Sequence, residues 1–125
     1  MDSVVHFEIP ADDVQRAEKF YASCFGWDLM SAPGMGYTLI TTGPTEDRMP
    51  QKPGFINGGM MKKTDKIKSP VIIIYVDDVH KSIDKIKKAG GTIVMEPFTV
   101  GDIGISAYFK DSEGNLLGLF KRTKA

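Results

Sequence analysis

The sequence has one cysteine, no excess of charge of either sign and no long apolar run. The lone Cys24 excludes an intrachain disulfide and is typical of a reducing compartment. Sixteen basic residues balance sixteen acidic ones, so we expect no general attraction to nucleic acid. No apolar run approaches the roughly 20 residues that span a bilayer, and the opening residues lack the pattern of an export signal. These absences predict a cytoplasmic protein without a nucleic-acid or membrane partner.

The composition is that of an ordinary globular domain. The chain has 125 residues, of which 42% are apolar and 26% are charged, so it can bury a core yet is short for two independent domains. We therefore predict a single domain over residues 1–125. The lysine-rich stretch at residues 62–68 is expected to be a solvated linker between two halves.

The first half predicts one strand, one helix and three further strands. Residues 4–9 mix β-branched and aromatic side chains and stop at Pro10, which cannot donate to a continuing ladder. Asp12 or Asp13 can cap a helix, because apolar residues follow at three- and four-residue steps until Gly26. The other predicted elements are strands at 27–30, 37–42 and 55–61, a turn at 31–36 and a polar loop at 43–54. Whether this loop closes over a cleft as a lid is left open.

The second half repeats this pattern. A shift of 65 residues lays Asp12-Asp13-Val14 on Asp77-Asp78-Val79 and Gly26 on Gly91. A self-similar period of this length indicates a unit that stacks against its copy. The elements predicted for this half are strands at 71–76, 92–96, 103–110 and 116–121 and a helix that starts after residue 78.

The repeat predicts an α+β fold built from two tandem βαβββ modules, at about residues 1–66 and 67–125. The modules are expected to form a curved mixed sheet with the helices on its outer face. The concave inner face would then be a site for a small organic molecule. The alternative is that this face is buried against a second subunit. Whether the modules pair within one chain or exchange between two chains stays open.

Several motifs resemble the glyoxalase/bleomycin-resistance/extradiol-dioxygenase superfamily, whose members are also called vicinal oxygen chelate proteins. The run from His6 to Asp13, followed by Phe25-Gly26-Trp27, resembles the opening module of that family. Val76-Asp77-Asp78-Val79 and the hairpin from Tyr108 to Asn115 resemble its second module. Together these motifs cover essentially the whole chain. The resemblance implies the fold predicted above, a homodimer, and chemistry in which a divalent metal binds adjacent oxygens of a substrate.

The resemblance also implies metal ligands at four points, on the first and last strands of each module. His6 occupies the first point and can bind a divalent ion such as Zn, Ni, Fe or Mn. The other points fall on Val71 and on or beside Gly59 and Gly118, none of which has a donor side chain. Because one histidine cannot hold a divalent ion firmly, we expect no metal cofactor. Glu8, which shares a strand face with His6, leaves an unusual His/Glu site as the alternative.

Strand alternation makes His6 and Glu8 the candidate catalytic residues on the inner face. An alternative role for the two is a hydrogen-bonded pair that stabilises a half-buried strand. The same parity predicts a mostly apolar ligand pocket with a few polar groups. Its predicted lining residues are Tyr37, Asn57, Met61, Ile73, Tyr75 and Phe120.

Three functions are compatible with these features. The expected one is the binding of a small organic ligand in the concave sheet, with an incomplete set of metal ligands. The second is a metal-dependent lyase or isomerase, similar to lactoylglutathione lyase, or a dioxygenase that uses His6. The third is a non-catalytic dimerisation or regulatory module. The sequence leaves open which ligand is bound and whether any reaction is catalysed.

Overall fold

The computed structural model describes residues 1–32, Gly34 and residues 36–123. The chain divides into two compact units. The first unit is His6–Pro70, and the second unit combines Met1–Val5 with Val71–Ala125. Both units have the predicted order of a strand, a helix and three sheet strands, which confirms the α+β class and the βαβββ pattern.

The first unit has a four-stranded mixed sheet and one helix. The elements are β1 (Val4–Ala11), α1 (Val14–Phe25), β2 (Asp28–Ala32), β3 (Tyr37–Thr41), β4 (Thr45–Glu46), β5 (Met49–Pro50) and β6 (Asn57–Lys62). The sheet order is β2-β3-β6-β1, in which β1 and β6 run parallel and the other neighbours run antiparallel. The first two residues of β1, Val4 and Val5, are counted with the second unit.

Helix α1 begins and ends at the residues that its sequence favours. The Asp13 side chain accepts a hydrogen bond from the backbone N–H of Arg16 at 3.0 Å, so Asp13 is the N-cap. Gly26 has φ 69° and ends the helix in a left-handed conformation that costs glycine little. The apolar face of α1 packs on the sheet around buried Ile40 and Met60. This packing fixes which face of the sheet is covered by the helix.

The polar loop predicted at 43–54 contains a short hairpin that the sequence did not indicate. Strands β4 and β5 pair in antiparallel register around Asp47 and Arg48, which have φ 49° and 65°. Two consecutive residues with positive φ are typical of the tight turns that suit hairpins, although glycine or asparagine usually supplies them. The strand after the loop begins at Asn57 rather than at the predicted residue 55.

The second unit repeats the architecture with its own core. Its elements are β7 (Val71–Tyr75), α2 (Val79–Lys88), β8 (Thr92–Val100), β9 (Gly104–Lys110) and β10 (Leu116–Arg122). The sheet order is β7-β10-β9-β8, with β7 and β10 parallel, and α2 packs through Val79 and Ile83 against buried Phe109 and Leu119. Strand β8 is four residues longer than predicted, because irregularities in its pairing with β9 accommodate Pro97.

Two further expectations from the sequence concern the turn at 31–36 and membrane-spanning helices. The predicted turn at 31–36 includes Pro33 and Met35, which lie outside the described residues. Among the residues that are described, neither helix has the length and apolar character needed to cross a bilayer.

Candidate functional site

The sheet of the first unit has one face that α1 covers and an opposite face that carries polar side chains. Phe7 and Ile9 pack into the core beneath α1. Since successive strand residues point to opposite faces, His6 and Glu8 lie on the other side of the sheet. In the neighbouring parallel strand, the Cα of Gly59 is in register with that of Glu8. The first strand therefore presents an imidazole and a carboxyl group on one face.

Tyr37 connects these two groups. Its hydroxyl lies 2.8 Å from His6 Nε2 and donates a hydrogen bond of 3.0 Å to Glu8 Oε2. Glu8 is buried, with 7% of its surface exposed, whereas His6 and Tyr37 are half-buried. We call His6, Tyr37 and Glu8 the relay, because a continuous line of hydrogen bonds joins the imidazole to the carboxyl group.

Burial lowers the pKa of His6 from its ordinary value of 6.5 to about 4. The cause is desolvation, which penalises the charged imidazolium more than the neutral ring. His6 is therefore neutral at physiological pH. A neutral imidazole has one N–H donor and one acceptor nitrogen, so it can bind a polar group or hold a proton in transit.

Gly59 makes room for the tyrosine of the relay. A Cβ built on Gly59 would overlap the Tyr37 hydroxyl and the ring carbon that bears it. The phenol thus fills the space into which any side chain at position 59 would project. The sequence alone does not reveal this relation, because Gly59 pairs directly with Leu39 and reaches the Tyr37 side chain only diagonally.

The second unit has an apolar version of the same arrangement. By the 65-residue shift, Val71 and Ile73 correspond to His6 and Glu8, and both are buried. Gly118 is in register with Ile73, as Gly59 is with Glu8. A Cβ on Gly118 would overlap Ile73 Cδ1 and would lie 3.3 Å from Tyr108 Cε1. Hydrocarbon therefore fills the place that the hydroxyl of Tyr37 fills in the first unit.

The donor set of these residues does not fit a divalent metal. Of the four points implied by the resemblance, the chain has a nitrogen ligand at His6 and no donor side chain at Gly59, Val71 or Gly118. Within the described ranges, no three or more His, Cys, Asp or Glu side chains are grouped so that they could hold an ion. His6 Nε2 is already hydrogen-bonded to Tyr37. These residues do not provide the three or four ligands of a usual transition-metal site.

The other predicted pocket residues have contacts of their own within each unit. Asn57 Oδ1 accepts from the Thr42 backbone N–H at 3.0 Å, and its amide nitrogen donates to Thr45 Oγ1 at 2.9 Å. Asn57 therefore braces the chain between β3 and β4. Met61 is half-buried and lies in register with Tyr37. Their role as ligand contacts stays a prediction.

In the second unit, Ile73 is buried, and the rings of Tyr75 and Phe120 meet edge to face with centroids 6.2 Å apart. The Tyr75 hydroxyl accepts from the backbone N–H of Arg122 at 3.3 Å. These three side chains pack and hydrogen-bond as strand residues. Their role as ligand contacts stays a prediction.

A surface pocket of about 350 Å³ lies elsewhere, at the start of α1 in the first unit. Three of its charged side chains, those of Asp12, Asp13 and Lys63, already interact with one another or with the backbone. Lys63 Nζ pairs with Asp12 Oδ2 at 3.3 Å, and Asp13 caps the helix. The relay is therefore the better candidate for chemistry.

Comparisons with known proteins relate the chain to one superfamily. The sequence model of the Glyoxalase/Bleomycin resistance protein/Dioxygenase superfamily matches residues 3–119. A protein of Mycobacterium tuberculosis named as a glyoxylase, CFP32, is 30% identical over an alignment of 125 positions, which covers 94% of this chain and 44% of that protein. A glyoxylase-like domain-containing protein of Didymella fabae is 34% identical and covers 86% of this chain and 84% of its own length. The chain thus spans less than half of the mycobacterial relative.

Solved structures share the fold at low identity. Streptomyces coelicolor methylmalonyl-CoA epimerase, in complex with 2-nitronate-propionyl-CoA, superposes with a TM-score of 0.67 at 15% identity. The superposition covers 98% of this chain and 96% of the epimerase chain. At this identity, the likeness concerns the fold and not the reaction.

Proposed function

Because the chain belongs to the glyoxalase/bleomycin resistance protein/dioxygenase superfamily, we propose that it binds a small organic molecule and does so without a divalent metal. The proposed site is the face of the first unit that carries the relay of His6, Tyr37 and Glu8. The observation that carries the proposal is the Tyr37 hydroxyl, which fills the space above Gly59 and is hydrogen-bonded to both relay partners. The Tyr37 hydroxyl thus lies where, on or beside Gly59, the family resemblance implies a metal ligand.

The surroundings of the relay suit a ligand with an apolar body and a polar end. Leu39 and Met61 are half-buried strand residues next to Gly59 and Tyr37 in the pairing of β3 and β6. Apolar side chains with a few fixed polar groups are typical of small-molecule sites. We propose that the other predicted pocket residues take part, that the protein works as a homodimer, and that it is cytoplasmic.

Retention of His6 supports a second candidate function, a lyase, isomerase or dioxygenase reaction in which His6 and Glu8 are catalytic. A half-buried imidazole joined to a buried carboxyl group can hold or move a proton. In the metal-dependent form of this candidate, His6 would be a ligand, and further donors would have to come from outside the set described above. The first candidate function requires no metal, whereas the metal-dependent form of the second requires a bound metal ion.

Metal titration and a ligand screen on the same protein separate the two functions. Untagged protein is stripped of metal, and its thermal stability is followed with Zn²⁺, Ni²⁺, Fe²⁺ and Mn²⁺ and with monocyclic aromatic compounds that bear one polar group. We expect aromatic compounds to raise the Tm of the wild type but not of His6→Ala, because ligands stabilise the fold that binds them. His80→Ala, which changes an exposed histidine on α2, is the matched control.

The metal titration and the ligand screen test different parts of the proposal. Near-stoichiometric metal that is lost in His6→Ala and retained in His80→Ala would overturn the metal-free proposal and favour the metal-dependent reaction. Compounds that stabilise the wild type and His6→Ala equally would move the ligand site away from the relay. If no compound in the screen changes the Tm, the small-molecule proposal fails.

A further inference from the structure

When Glu8 is ionised and can only accept, the hydrogen bonds in the relay determine where the proton of His6 lies. A tyrosine hydroxyl has one proton, and Tyr37 donates it to Glu8 Oε2. Towards His6, the hydroxyl can therefore only accept, so the proton of the neutral imidazole lies on Nε2. The other ring nitrogen, Nδ1, is left with its lone pair and acts as an acceptor.

Nδ1 is also accessible. Within the described part of the chain, the hydrogen bond of the His6 side chain is made by Nε2. The same residues include no buried side-chain nitrogen or oxygen without a hydrogen-bond partner. An Nδ1 atom without a partner therefore has some surface in contact with solvent, which agrees with the half-buried position of His6. Because a buried acceptor without a partner is costly, a ligand that covers this atom has to supply a donor.

We infer that Tyr37 and Glu8 hold His6 in the Nε2–H tautomer, so that Nδ1 selects neutral ligands with a hydroxyl or amide N–H donor next to an apolar body. The inference rests on the proposed function, since it names the class of ligand for the same site. Tyr37 and Glu8 act here as positioning residues, because they set the tautomer of His6 without supplying the acceptor. A ligand with only hydrogen-bond acceptors would face the Nδ1 lone pair. Neither Nδ1 nor the acceptor of the ligand would then receive a hydrogen bond.

The tautomer can be measured without any ligand. The chain has two histidines, so a protein labelled with ¹⁵N-histidine gives signals from His6 and His80 alone. At neutral pH we expect a single Nε2–H tautomer for His6, and a shift towards a mixture of both tautomers in Tyr37→Phe. Exposed His80 serves as the internal reference and should be the same in both proteins. An Nδ1–H tautomer of His6 in the wild type would overturn the inference.

A matched pair of ligands tests the selection itself. 4-Ethylphenol donates a hydrogen bond, whereas 4-ethylanisole has a methyl group in place of that proton. We expect the wild type to bind the phenol at least about fivefold more tightly, the effect of one net hydrogen bond, and Tyr37→Phe to lose the preference. Tyr21→Phe, a change in the core beneath α1, should retain it.

The outcomes distinguish this inference from the function on which it rests. Equal affinity of the wild type for the two compounds would overturn donor selection and leave ligand binding intact. A preference that survives in Tyr37→Phe would show that Tyr37 does not position His6. If neither compound binds and the wider screen is also negative, the proposed function fails, while the ¹⁵N signals still decide the tautomer.

Discussion

The two units have the same backbone arrangement around a central glycine and opposite chemistry beside it. In the first unit, Gly59 is in register with Glu8, and a tyrosine hydroxyl covers the glycine. In the second, Gly118 is in register with Ile73, whose hydrocarbon covers the glycine. Both units therefore keep the space beside the glycine but fill it with different chemical groups. When a module is duplicated, one copy can keep apolar packing that stabilises the fold, while the other copy carries polar groups that cost stability.

The exchange of Glu8 and Ile73 between the units is expected to give the largest effect. Ile73→Glu places a carboxyl group at a site with 5% exposure beside hydrocarbon, and we expect it to lower the free energy of unfolding by about 3 to 5 kcal/mol. The reverse change, Glu8→Ile, should cost less than about 2 kcal/mol, because it removes a group that folding has to desolvate. Urea unfolding at neutral pH measures both. Equal costs for the two changes would contradict the view that only the first unit accommodates a buried carboxyl group.

The pH dependence of stability gives the next effect. His6 titrates near 6.5 in the unfolded chain and at about 4 in the fold, so between these values the unfolded chain binds more protons. The free energy of unfolding should therefore fall as the pH is lowered from about 6.5 to 4, by up to about 3 kcal/mol. Below pH 4 the contribution of His6 is constant.

The second unit has Val71 at this position and contributes no such titration. Chemical unfolding at pH 7, 5.5 and 4.5 in His6→Gln should show a shallower loss of stability than the wild type. His80→Gln should follow the wild type, because His80 is exposed. Parallel curves for the wild type and His6→Gln would mean that burial of the imidazole is not the source of the slope.

Alanine at the two central glycines should give a smaller difference. Gly59→Ala displaces the Tyr37 hydroxyl and with it the hydrogen bonds to His6 and Glu8, so we expect a loss of about 2 kcal/mol. Gly118→Ala presses on the terminal methyl of Ile73, which can rotate, and should cost about 1 kcal/mol. Thermal unfolding of both variants gives this ranking. A larger cost at Gly118 would mean that the hydrocarbon of the second unit is the tighter packing.

Much of the fold was predictable because its signals are local. Capping by Asp13 and the apolar spacing of α1 depend on neighbouring residues, and the repeat doubled the evidence for each element. The β4–β5 hairpin was missed because Asp47 and Arg48 adopt positive φ without the usual glycine. Strand β8 was predicted too short because Pro97 is tolerated only through irregular pairing.

The sequence predicted which candidate residues share a face of the sheet. It did not predict the hydrogen bonds that join them. Strand parity puts His6 and Glu8 on one face, and the resemblance directs attention to Gly59. The bridging role of Tyr37 depends on a diagonal contact across β3 and β6, which no sequence spacing encodes. Hydrogen-bond direction, and hence the tautomer of His6, requires atomic positions.

The assignment of residues to the two units has a consequence for the synthesis of the chain. The first unit is one uninterrupted segment, so a ribosome delivers all of its strands before any strand of β7 to β10. The second unit includes residues from both ends of the chain, and the backbone N–H of Tyr75 donates to the carbonyl of Ser3 at 2.8 Å. Its completion requires closure of a loop that holds the entire first unit, which is entropically cheapest when that unit is already compact. We therefore expect an order of folding during translation in which the first unit forms first and the second unit closes last.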